Sequence, residues 1–202
     1  MKVGQRKERS DKKKEVQPLI PTTVKENINR LSHITNQPIK DICEYLVVFA
    51  LKDKQTFDTL TIYFKRSFFI DPTYYNGHLD APSIEKRLKV PTEKVTIKFK
   101  KLDYELISTM AYALDCTPTR ATSILLEMAA HNIKAVNEYV HQYLVEELTD
   151  SQMRNLRKVL SYVNRYSDEN NSWVTVLSTV VGDIRPATRK LYELVDEFLR
   201  YK

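Results

Sequence analysis

Lys94-Val95-Thr96-Ile97-Lys98-Phe99-Lys100-Lys101 is the stretch around which the chain is organised. Val95, Ile97 and Phe99 alternate with Thr96, Lys98 and Lys100. Alternation at period two marks a strand with one apolar and one wet face. The wet face carries a hydroxyl and two ammonium groups, with Lys101 just beyond. The period then changes. Tyr104, Ile107, Met110, Ala111 and Leu114 recur at three and four, the spacing of a helical apolar stripe. That helix should stop at Asp115-Cys116. The next should start at Thr117-Pro118, with Thr117 as N-cap and Pro118 in the first turn, where a missing N–H costs nothing. Its stripe is Ala121, Ile124, Leu125, Met128 and Ala129.

A strand and two helices of this length cannot close a core alone. The strand also has two bare edges. A second copy whose strand pairs with it in antiparallel register cures both problems. The apolar faces are then buried against helices, and the polar faces form a two-stranded ribbon of a size that enters the DNA major groove. Residues 94–131 resemble the ribbon-helix-helix family of DNA-binding proteins, the MetJ/Arc type. The resemblance implies base contacts from Thr96, Lys98 and Lys100, with Lys101 alongside. It also implies a phosphate held at the start of the second helix, at Thr117, Thr119 and Arg120, because Pro118 has no N–H to offer. The same alternation of Thr and Lys also describes a solvated edge strand, guarded by lysine against pairing.

The balance of charge favours an anionic partner. The 202 residues carry a net charge of +6, with a pI near 9.1. Residues 1–14 hold Lys2, Arg6, Lys7, Arg9, Lys12, Lys13 and Lys14 against Glu8 and Asp11, which is +5 of that total. This segment has almost no apolar residues and reads as a disordered basic arm, with Lys12, Lys13 and Lys14 adding salt-dependent phosphate contacts. No apolar run follows it, so it does not read as a signal peptide. No stretch approaches the ~20 apolar residues of a membrane span. Cys43 and Cys116 read as reduced thiols in a cytosolic protein. With three glycines the chain has no Gly-rich phosphate loop. His33, His78, His131 and His141 lack the spacing of metal ligands. No nucleophile–base ordering is discernible either, so neither an enzyme nor a cofactor is expected.

Other segments echo the central one. Val24, Ile28, Leu31 and Ile34 form a helical stripe, capped by Thr22 or Thr23. Asn36-Gln37 breaks it, and Pro38 opens a helix carrying Ile39, Ile42, Cys43, Leu46, Val47, Phe49 and Ala50. An offset of 80 places Pro38 on Pro118 and Ile34 on Leu114, so 16–54 reads as a degenerate copy. The expected failure is its strand, because Pro18 and Pro21 fall where ladder N–H groups are needed and Leu19-Ile20 does not alternate. Thr59–Lys65 alternates and reads as a further strand, able to pair with 95–100. An aromatic loop from Phe68 to Gly77 follows, suited to filling a hydrophobic seam or to stacking on nucleobases. Ser83–Lys89 reads as a short helix. Beyond Asn132 the pattern is helical. Met153 and Leu156 should point inward and Arg154, Arg157 and Lys158 outward. After a polar break at Asp168–Ser172, helices should carry Trp173 and, from Pro186, Leu191 to Leu199.

The expected fold is mainly α with short β-strands: tandem ribbon-helix-helix units plus a C-terminal helical module. The expected divisions are a disordered arm at 1–15, a degenerate unit at 16–58, a strand and aromatic linker at 59–93, a second unit at 94–141 and the module at 142–202. The ribbon would form within one chain as a pseudo-dimer or between two chains of a homo-oligomer. The expected function is sequence-specific binding of double-stranded DNA. The chain would act in the cytoplasm, on the nucleoid, as a repressor or as a partition or relaxosome accessory factor of a plasmid or phage. The competing expectation is a helical interaction module whose basic arm gives only non-specific DNA affinity.

Overall fold

The computed structural model describes residues 13–151 apart from 71 and 85–89, together with 153–158. It is mainly helical, with a few short antiparallel strands. Strands β1 (Lys14–Val16) and β2 (Leu19–Pro21) lead into helices α1 (Thr22–Thr35) and α2 (Ile39–Ala50). A segment containing α3 (Lys54–Leu60) and the hairpin β3 (Phe68–Ile70) and β4 (Thr73–Tyr75) follows. Strands β5 (Thr92–Lys94) and β6 (Ile97–Phe99) then lead into α4 (Lys101–Ala113) and α5 (Pro118–His131), and α6 (Ile133–Glu147) comes next.

The strand at 92–99 pairs within the chain, and its partner is the proline-containing segment 14–21. Lys14 faces Phe99 and Val16 faces Ile97 in one stretch. Leu19 faces Lys94 and Pro21 faces Thr92 in the other, in the same continuous register. Pro18 explains the interruption. It has no N–H to donate, but its carbonyl accepts from the Val95 N–H at 3.2 Å, so the two strands stay together across the gap. Segment 14–21 does alternate, contrary to the sequence expectation. Val16, Pro18 and Ile20 are buried, whereas Glu15, Gln17 and Leu19 are exposed. The proline disguised the pattern by serving as an apolar inward residue. The Thr22 N–H and hydroxyl both donate to the Pro91 carbonyl, at 3.0 and 2.9 Å, and close that end of the ribbon.

The two strand–helix–helix units correspond at an offset of 79, not 80. Thr22 and Lys101 start the first helices, Pro38 and Thr117 cap the second ones, and each pair is 79 residues apart. Asn36 and Asp115, at the same interval, both take a left-handed conformation with φ 51°. That conformation is open to Asn and Asp, whose short polar side chains tolerate it. Ile42, Cys43, Leu46, Val47 and Ala50 on α2 map onto Ala121, Thr122, Leu125, Leu126 and Ala129 on α5, and all ten are buried. The offset of 80 came from superposing two prolines that occupy different positions, Pro38 at an N-cap and Pro118 inside the helix.

These faces make α2 and α5 the central helices, lying against each other, with α1 packed on α2 and α4 on α5. The ribbon's inward residues, Val16, Ile20, Val95, Ile97 and Phe99, belong to the same core. Each fully buried aliphatic side chain contributes about 1.5–3 kcal/mol relative to exposure. Helix α6 packs on α2 and α5, burying Ala135, Tyr139, Val140, Tyr143 and Leu144. The Tyr139 ring meets Tyr45 edge-on with centroids 5.1 Å apart.

Residues 59–65 are not a strand. They complete α3 and a single 3-10 turn, Thr61–Tyr63. Asp53 caps α3 by accepting from the Thr56 N–H. Phe57, Leu60 and Phe64 are buried while Ile62 is exposed. Their spacing of three and four is that of a helical face, which the alternation of Leu60, Ile62 and Phe64 imitated over a short window. Phe57, Phe64, Phe68 and Tyr75 form an aromatic cluster with centroid distances of 4.9–6.4 Å. Of the two roles open to the aromatic loop, these rings fill a seam. Gly77 closes the segment. A Cβ there would run into the Arg66 backbone, and the Gly77 N–H donates to Ser67 Oγ at 2.9 Å. Arg66 ties this segment to the end of α4 by an ion pair with Asp115 at 2.7 Å and a bond to the Tyr112 carbonyl at 2.9 Å.

Residues 150–158 are helical where described, with Met153 and Leu156 buried and Arg154, Arg157 and Lys158 exposed. The expected helices after residue 158, the arm at 1–12 and most of the Ser83–Lys89 helix lie outside the described residues. Lys13, Lys14 and Glu15, expected within the arm, have defined places. Lys13 pairs with Glu44 on α2, and the other two belong to β1.

Candidate nucleic-acid interface

The outward face of the ribbon is fixed by strand parity. Val95, Ile97 and Phe99 are buried, so Lys94, Thr96 and Lys98 are exposed on the opposite face. The register sets Glu15 opposite Lys98 and Leu19 opposite Lys94. Gln17 and Thr96 form the pair between them. Six side chains thus line one face in two rows. Sequence reasoning placed Thr96 and Lys98 in this row but missed Lys94, which has the same parity two residues back. It also missed Glu15, Gln17 and Leu19, because the strand that carries them was discounted for its prolines.

The face is polar but not uniformly basic. Lys98 Nζ lies 3.9 Å from a Glu15 carboxylate oxygen, and the Gln17 amide donates to Glu15 at 3.0 Å. Exposed pairs of this kind are worth under about 1 kcal/mol and rearrange readily. A pair this weak leaves the Lys98 ammonium able to turn to another acceptor.

Apart from Thr96 at the middle of the ribbon, the expected site residues fall into two groups at its opposite ends. Lys98, Lys100 and Lys101 lie at the end where β1 begins, alongside Lys13 and Lys14. Lys100 is not an outward strand residue. It is the N-cap of α4, with φ −61° and ψ 157°, so it flanks the ribbon. Lys101 Nζ is 3.8 Å from Glu105 one turn along α4. Lys13 Nζ donates to both carboxylate oxygens of Glu44, at 2.8 and 2.7 Å. That contact makes Lys13 a tie between β1 and α2. Lys12 lies outside the described residues.

Thr117, Thr119 and Arg120 sit at the other end. They share a cleft of about 360 Å³ with Gln17, Leu19, Thr92 and Lys94. Lys94 is roughly 13 Å along the strand from Lys98, at four residues of extended chain. Thr117 caps α5, its hydroxyl accepting from the Arg120 N–H at 3.2 Å. The Arg120 N–H is therefore engaged in the cap, and Thr119 and Arg120 line the cleft together with the carboxylate-bearing Glu127. An anion at this position also meets the positive end of the α5 dipole.

Neither cysteine has the environment of a reactive thiol. Burial pushes the Cys43 thiol up to about 12, and burial also raises Cys116, ahead of the smaller opposing effect of Arg120. Both thiols are free. Among the described residues no group of His, Cys, Asp and Glu is placed to hold a metal ion, and no helix is long and apolar enough to cross a membrane. Comparison of the chain with protein-family models, with curated proteins and with solved structures finds no match.

Proposed function

We propose that this chain is a sequence-specific double-stranded DNA-binding protein of the ribbon-helix-helix kind, with both strands of its reading ribbon in one polypeptide. The observation that carries this reading is the intrachain ribbon. It sets Lys94, Thr96 and Lys98 beside Glu15, Gln17 and Leu19 on one exposed face, with α2 and α5 behind it. A two-stranded ribbon fits the B-DNA major groove, and Lys, Gln, Glu and Thr are side chains that distinguish base edges there. Lys100 and Lys101 at one end, and Thr119 and Arg120 at the other, would meet the flanking phosphates, which fix register without reading sequence, whereas Lys14 shares the inward parity of Val16. In a cell such a protein acts as a repressor, or as a partition or relaxosome accessory factor of a plasmid or phage, on the nucleoid.

The test is a binding titration on a selected duplex in the presence of competitor DNA. Lys94→Ala and Lys98→Ala should each cost about 1–3 kcal/mol on that duplex and little on unrelated sequences. Lys100→Ala and deletion of residues 1–12 should weaken all duplexes alike and flatten the salt dependence. If deletion of the arm removes all affinity and every sequence binds equally, the ribbon does not read DNA.

A second reading rests on a different surface. Phe69 and Tyr74 face each other across β3 and β4 and are 59% and 61% exposed. An exposed aromatic pair favours a protein partner, and in that reading the basic segments give only non-specific DNA affinity. Phe69→Ser with Tyr74→Ser leaves DNA binding unchanged if the ribbon is the functional surface.

A further inference from the structure

The two halves of the ribbon's outward face are chemically unlike, although the backbone relates them by a pseudo-two-fold axis. At the offset of 79, Glu15 corresponds to Lys94, Gln17 to Thr96 and Leu19 to Lys98. The axis passes through the pair Gln17–Thr96, which is its own counterpart in the register. At one end the face presents an acceptor and a donor, Glu15 and Lys98. At the other it presents a donor and an apolar side chain, Lys94 and Leu19. The flanks differ in the same sense. Pro38, Lys40 and Asp41 at the start of α2 occupy the places of Thr117, Thr119 and Arg120 at the start of α5, so an acid stands where the other unit has a guanidinium.

Building on the DNA-binding reading above, we infer that one chain recognises one non-palindromic duplex element, in a single orientation. A homodimeric ribbon presents the same side chains to both half-sites and so selects a palindrome. This ribbon does not. The chemistry of each end names its preference. Lys98 donates to the O6 and N7 of guanine, while Glu15 beside it accepts from the amino group of cytosine, so that end favours a G·C pair. At the axis, Gln17 matches the N6 and N7 of adenine, and the Thr96 methyl packs on a thymine methyl, which favours A·T. At the far end Leu19 has no polar atom to offer, and its partner is a thymine methyl, with Lys94 on a neighbouring guanine.

The experiment is selection of duplexes from a random-sequence library by the full chain, followed by the chain-to-duplex ratio of the enriched duplex from light scattering. The expected consensus is non-palindromic, with one chain per element, and reversing the consensus between fixed flanks reverses the orientation of the footprint. The double variant Glu15→Lys, Leu19→Lys makes the two ends alike, since both substituted positions are exposed and their counterparts are lysines. Its selected consensus should become palindromic at the two flanking positions, and it should lose about tenfold in preference for the original element. A palindromic consensus from the unaltered chain, or two chains on each enriched element, overturns the inference and leaves DNA reading standing. An unenriched library overturns the DNA reading, and this inference with it.

Discussion

Leu19 and Ile20 are neighbours in sequence and should respond in opposite ways to truncation. Ile20 is 0% exposed and belongs to the core behind the ribbon, whereas Leu19 is 49% exposed on the outward face. Replacing a fully buried isoleucine with alanine removes its transfer free energy and leaves a cavity, at a combined cost of about 2–5 kcal/mol. The described region holds on the order of 5–15 kcal/mol of stability, so Ile20→Ala takes away a large share of it. At about 2–4 °C per kcal/mol for a chain of this size, the midpoint should fall by roughly 5–20 °C. Leu19→Ala should stay within about 0.5 kcal/mol of the parent. Urea and thermal melts followed by far-UV circular dichroism measure both. Equal losses from the two variants, or no loss from Ile20→Ala, would mean that 14–21 is not the inner partner of 92–99.

Further outcomes follow from other contacts. Thr117→Ala removes the hydroxyl that accepts from the Arg120 N–H and should cost about 0.5–2 kcal/mol; Thr117→Ser should restore most of it in the same melts. Gly77→Ala forces a methyl group into the Arg66 backbone, so the 64–78 segment must open. Faster proteolysis there, with the ribbon core still folded by hydrogen exchange, is the expected result. Burial raises the Cys43 thiol from its ordinary value of 9.0 to about 12. The folded state therefore keeps this thiol neutral while the unfolded chain ionises it. Its contribution is complete below about pH 9 and is lost as pH climbs toward 12, at about 1.4 kcal/mol per pH unit. Stability of Cys43→Ala should fall less steeply between pH 9 and 10 than that of the parent, and parallel slopes would refute the assignment.

Much of the helical architecture is legible in the sequence, because stripes and caps are local. The stripe Ile107, Met110, Ala111 and Leu114 and the Thr117-Pro118 start need no tertiary information. The partner of the central strand was harder to read. Pro18 is a poor ladder residue and an adequate inward one, and the alternation Val16, Pro18, Ile20 is visible only once its backbone contribution is set aside. Thr59–Lys65 misled for the opposite reason. Its hydrophobic residues fit period two over a few positions, while Phe57 and Leu60 show the helical period only in a wider window. Lys94 is harder to see because the apolar alternation begins only at Val95, and an outward residue that precedes the first apolar one has no flanking pair to mark it. The separation of Lys98 from Thr117 and Arg120 cannot be read from spacing at all. It follows from the antiparallel pairing, which sends one strand's end toward the other unit's helix.

Because both strands of the ribbon belong to one polypeptide, dilution does not separate them. A tether holds its two ends at an effective concentration on the order of millimolar, whatever the number of molecules in the cell. A ribbon assembled from two identical chains disappears with the square of their abundance as copies become scarce. Here its amount follows the first power, so a handful of molecules, even a single one, still carries a whole ribbon.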